Sequence, residues 1–228
     1  MNRVPAMALA AIWLSLGGDT LHAQDLSRYR GYALDSSMAA VIAASGTRVT
    51  DAKTRHERPA TIRELEWHAP YVSAGAEMAD PVRTLTFLFY NDALYQITAD
   101  YDAARIEGLT VADVVTTLSA TYGAPVQTSA RAGASRTADL PQNMIVLSAW
   151  DSPAASILLL RGAYSSGLQL VLVSKPLGMQ AKIAIREAER LDVIEAPRRE
   201  SERRKQEAID ADASRNKARE ANKAAFRP

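Results

Sequence analysis

Val82-Arg83-Thr84-Leu85-Thr86-Phe87-Leu88-Phe89-Tyr90, then Asn91-Asp92, then Ala93-Leu94-Tyr95-Gln96-Ile97-Thr98-Ala99-Asp100: the fold of this chain is decided by how this stretch is read. Leu85, Phe87 and Phe89 alternate with Thr84, Thr86 and Leu88, the two-residue period of a strand with one face buried. Asn91-Asp92 reads as a tight hairpin turn. Tyr95 and Ile97 carry the alternation beyond it, so residues 82–90 and 94–100 are expected to pair, with one aromatic and aliphatic face on the core.

Working outward, a helix and a strand precede this hairpin. Ser37 is a natural N-cap, Met38, Val41 and Ile42 follow on one face, and Gly46 closes the helix. Residues 62–67 form the strand. The same order then recurs downstream. Thr110 with Asp113 makes a capping box, Val111, Val114, Val115, Leu118 and Tyr122 keep helical spacing, and Gly123-Ala124-Pro125 stops them. Strands are predicted over 144–150, 156–161 and 168–173, separated by Asp151-Ser152-Pro153 and Ser165-Ser166-Gly167.

Two short matches strengthen the parallel. Ser37-Met38-Ala39-Ala40-Val41 corresponds to Thr110-Val111-Ala112-Asp113-Val114, and Leu65-Glu66-Trp67 corresponds to Leu147 through Trp150. A doubled unit, 30–104 and 105–178, follows from the element order. Strands joined by short turns are antiparallel neighbours, and a helix ahead of three of them buries its stripe by lying on a sheet face. The expected class is α+β, with both helices on one face of either a single sheet or two small ones.

The ends of the chain differ from its middle. Asn2 and Arg3, an apolar run over 6–16 and Leu21-His22-Ala23 have the order of a secretion signal cleaved near Ala23, so a periplasmic or secreted protein is expected from residue 24. The apolar run is about half the length that spans a membrane, and no cysteine follows it to carry lipid. Beyond the domain at 24–178, residues 179–196 read as a docking helix through Ile183, Leu191 and Ile194. Pro197 then introduces a charged, solvated helical or disordered tail over 197–228. Its Glu200 and Arg204 form a favourable helical pair, but it carries no heptads.

Chemistry is sparse. The 228 residues include no cysteine and three histidines, one of which, His22, leaves with the signal. Thiolate chemistry and disulfides are thereby excluded. His56 and His68 lie at opposite sides of a predicted strand without metal-ligand spacing, and the acids around Asp100, Asp102 and Glu107 suit turns and a helix start. No Gly-x-Ser-x-Gly elbow occurs, and Ser135 sits in a stretch of small and polar residues that reads as a loop. None of the eleven glycines falls in a phosphate-loop pattern. No catalytic, cofactor or metal residue is therefore assigned. A net charge of +1 argues against a body built for nucleic acid.

The candidate interaction residues are Trp67 and Tyr71, which flank a proline at a strand exit, and Arg198, Arg199, Arg203 and Arg204, which could touch an anionic surface. The run from Tyr32 to Ile42, a short strand leading into a capped helix and then a meander, resembles the small envelope proteins of the SmpA/OmlA type. The doubled helix-plus-strands unit resembles the beta-lactamase inhibitory protein fold. The resemblance spans about residues 30–175 and implies non-enzymatic binding in the envelope, although Asp35-Ser36-Ser37-Met38 departs from the family's turn and its lipid-bearing cysteine is missing. The leading expectation is an exported binding protein with no cofactor, its partner another envelope protein. The alternatives are a hydrolase or metal enzyme using His56 or His68, and a structural envelope component held to anionic lipid or cell-wall polymer by the basic tail.

Overall fold

A computed structural model describes residues 25–70, 80–126, 138, 140, 143–164 and 167–225. The signal-like segment, Tyr71 and Ser135 lie outside these residues. The elements in chain order are β1 (Arg28–Tyr29), β2 (Tyr32–Ala33), α1 (Met38–Ser45), β3 (Lys53–His56), β4 (Ile62–His68), β5 (Val82–Tyr90) and β6 (Ala93–Tyr101). They continue with α2 (Val111–Tyr122), β7 (Met144–Asp151), β8 (Ala155–Gly162), β9 (Leu168–Ser174) and α3 (Lys175–Ala225).

Local chemistry sets the boundaries. The Ser37 hydroxyl accepts from the Ala40 N–H, and Gly46, at φ +70°, takes the left-handed conformation that ends α1. Thr110 and Asp113 exchange side-chain and backbone bonds at the start of α2, satisfying two donors that a helix start would otherwise leave without partners. Asn91 and Asp92 both adopt positive φ, the backbone a two-residue hairpin needs to follow the twist of β5 and β6. Asn91 also accepts from the Thr61 N–H at 3.0 Å, which sets the start of β4 against the turn.

Seven strands form one antiparallel sheet in the order β3-β4-β5-β6-β9-β8-β7. The two helix-plus-three-strand units therefore build a single sheet and meet through their last strands, with Ile97 of β6 paired to Leu172 of β9. From that seam outward the order reads third, second, first strand on both sides. β1 and β2 form a separate two-stranded hairpin.

The sheet is buried on both faces. On one face Leu65, Phe87, Ile97, Trp150, Leu159 and Leu172 pack under α1, α2 and the β1–β2 hairpin. On the other, Ile62, Leu88, Tyr95, Leu158, Val171 and Val173 pack under the start of α3 through Leu177, Ala181 and Ile185. Helices on two faces explain why Ile157-Leu158-Leu159-Leu160 is apolar without alternation, since every residue of that run is buried.

Three features differ from the sequence reading. β3 is an added edge strand; its four residues are polar and mostly exposed, so nothing in their hydropathy marks a strand. Tyr95 lies on the face opposite Phe87 and Ile97. Leu88 pairs Gln96 while Phe89 pairs Leu94, which leaves Tyr95 as the extra residue of a bulge and turns its ring over. The docking helix and the charged tail are one helix of 51 residues that begins at Lys175 and contains Pro197. Proline leaves the Val193 carbonyl without its intrahelical donor, and because Val193 and Pro197 are both exposed, water can take that bond.

Candidate functional site

The α3 helix presents an unusual surface. At 1.5 Å per residue it is about 76 Å long, so it extends well past the sheet it starts on. The side against the sheet carries Ala181, Ala184 and Ala188, exposed by no more than 6%, whose small size lets the helix lie close to β5 and β6. Leu177 and Ile185 pack beside them, while four further large apolar residues are on the outer side: Met179, Ile183, Val193 and Ile194 are exposed by 50%, 62%, 76% and 59%. Helical spacing places these four within about 100° of arc, with Arg186 and Arg190 between them. Arg58 from the loop after β3 clamps the helix where it leaves the sheet, its guanidinium 2.8 Å from the Glu195 carboxylate, and holds that carboxyl below its ordinary range.

The four predicted arginines follow on the distal half, whose residues 201–223 are exposed without exception. Arg198 pairs with Glu202, Arg199 with Asp192, Arg203 with Glu200 and Glu207, and Arg204 with Glu200. Residues 197–228 hold ten basic and six acidic side chains, so the rod keeps a positive excess, yet each predicted arginine already shares a carboxylate. Trp67 is half-buried and packs against the core under α1 and α2, away from α3. The structure thus brings the arginines together along one helix and leaves Trp67 apart from them.

His56 ends β3 and lines a polar cleft of about 200 Å³ with Arg55, Glu57, Arg58 and Asp192. His68 ends β4 at the other end of that hairpin, with Nδ1 3.3 Å from the Thr84 hydroxyl and Nε2 3.7 Å from Glu66. Six residues of extended strand, about 20 Å, separate the level of the two rings, so they cannot share a ligand. Among the described residues no three histidine or carboxylate side chains converge as metal ligands, and no helix is long and apolar enough to cross a membrane.

A second surface feature was not foreseen from sequence. Where β6 ends, the loop 102–110 folds over the flank of α2. Asp102 shapes it by accepting from the Ala104 N–H at its carboxylate and from the Arg105 and Ile106 N–H groups at its carbonyl. Beneath lies a cleft of about 300 Å³ floored by Tyr101 and Leu168, walled by Val114 and Leu118 of α2, and roofed by Ile106 and Leu109. It adjoins a second lobe of about 490 Å³ that shares Ile106, Leu109 and Leu168 and reaches Glu107, Val111 and Arg161.

Tyrosines and an ion pair brace this end of the fold. The Tyr29 and Tyr101 hydroxyls lie 3.4 Å apart, and the Tyr122 hydroxyl donates to the Arg28 carbonyl. Burial raises all three phenols, that of Tyr122 to about 12, so they remain neutral donors at ordinary pH. Arg30 grips both oxygens of Asp80, holding its carboxyl below the usual range, and Arg105 donates to the Asp80 carbonyl. No periodicity announces this cleft, because its walls come from four separate segments of chain.

The chain matches no protein-family model, no curated protein and no solved structure.

Proposed function

We propose that this protein is an exported, non-enzymatic binding module of the cell envelope whose partner is another protein, engaged along the outer side of α3. The observation that carries this reading is the inverted helix: alanines face the sheet, and four large aliphatics face away from it. Large apolar side chains left exposed in one narrow arc mark a surface that gains by being covered. Export rests on the order of charge, apolar run and small residues over 1–23. The separation of His56 from His68 weighs against catalysis by the pair.

The test is site-specific photocrosslinking in intact cells of the source organism. A crosslinking residue at Ile194 is expected to capture one recurrent protein from the envelope fraction, whereas the same residue at exposed Thr50 is not. Adding Ile183→Asp and Val193→Asp, both at exposed positions, should abolish the product without altering the fold. Equal labelling from Ile194 and Thr50, or a product insensitive to the aspartates, would refute the proposal.

A further inference from the structure

We propose that the cleft under the 102–110 loop binds a single-chain anionic amphiphile, its hydrocarbon chain against Leu118 and Leu168 and its head group at Arg161. The polar groups of the inner lobe are already occupied. Thr117 donates its hydroxyl to the Asp113 carbonyl at 3.0 Å, Tyr101 meets Tyr29, and Arg105 is directed at the Asp80 carbonyl. What they leave facing the space is the hydrocarbon of Pro81, Ile106, Leu109, Val114, Leu118 and Leu168. A polar ligand would find no free partner there, whereas an alkyl chain loses nothing by leaving water.

The two lobes fall within the size range of small-molecule sites, and their order along the cleft suits a molecule with two ends. The outer lobe contains Arg161, which forms no ion pair with any described residue and supplies positive potential beside the first turn of α2, whose own start is already capped by the Asp113 carboxylate. Glu107 lines the same lobe and opposes that potential. Leu109, 57% exposed, stands where the lobes join and would cover the first carbons of the chain. This site is independent of the outer side of α3.

The experiment titrates the full-length protein with dodecanoate, dodecyl phosphate and dodecanol by calorimetry below their micellar concentrations. Saturable one-to-one binding of at least one anion is expected, and the tighter of the two assigns the head group as carboxylate or phosphate. Leu109→Asp, at an exposed position, should weaken binding of all three at least tenfold. Arg161→Glu should weaken the anions by about tenfold, the scale of one charge-assisted hydrogen bond, and leave dodecanol unchanged. Glu107→Gln should tighten the anions about twofold to threefold, as expected for removing an exposed like charge. Absence of saturable binding, indifference to Leu109→Asp, or equal response of dodecanol and the anions to Arg161→Glu would overturn the proposal.

Discussion

Trp150 in β7 donates its indole N–H to the Gly123 carbonyl at 2.7 Å, tying the last turn of α2 to the edge strand of the sheet. The two residues are 27 apart in sequence, and both are buried. Tyr122 stands beside them, its ring tilted against the indole at 6.5 Å. Trp150→Phe keeps an aromatic in place but leaves a buried carbonyl without its donor and a small void. The expected loss is about 2 kcal/mol in urea unfolding. An unchanged midpoint would show that the bond contributes nothing.

The Arg30–Asp80 pair predicts a pH dependence. Bonds from Arg30 hold the Asp80 carboxyl below its ordinary value near 3.8, with the Val82 N–H adding to the effect. A lowered folded-state pKa means stability that is fully present above the unfolded value and lost as pH falls through the folded one. Wild type should therefore melt higher than Asp80→Asn at pH 7, and the gap should close below about pH 4. Thermal melts of both proteins from pH 7 to pH 2.5 check this. A gap constant over that range would remove the pair as its cause.

Close approach of α3 to the sheet depends on small residues. Ala181 is fully buried, so Ala181→Leu forces three extra carbon atoms toward Leu88 and Val173 or lifts the helix. Overpacking of this kind costs about 1–3 kcal/mol. Hydrogen exchange should show α3 losing protection near residues 177–188, while β8 and β9 keep theirs.

Pro197 lies inside the helix but beyond the packed turns. Pro197→Ala restores the missing backbone donor at an exposed position, where proline costs a helix about 3 kcal/mol relative to alanine. Helical circular dichroism should rise and amide protection around 193–201 should increase. The unfolding midpoint of the sheet should stay put, because residues 201–223 are exposed along their whole length.

The sequence by itself determined the elements whose causes are local: the positive-φ turn at Asn91-Asp92, the caps at Ser37, Gly46 and Thr110, and the alternation of Leu85, Phe87 and Phe89. From these the α+β class and the order of helix and strands could be read directly. Tertiary structure decided what depends on the summed environment of distant residues. It joined β6 to β9, since antiparallel strands far apart in sequence carry no label for each other. It turned Tyr95 over through a bulge, and it made β3 a strand because an edge needs only backbone partners. It also fixed which side of α3 faces inward. Hydropathy alone points Ile183 and Ile194 toward the sheet, but close packing over β5 and β6 places Ala181, Ala184 and Ala188 there, with Leu177 and Ile185 beside them, and leaves Ile183 and Ile194 outside. The cleft at Leu109 and Arg161 belongs to the same category: its walls are contributed by separate segments, and only folding brings them together.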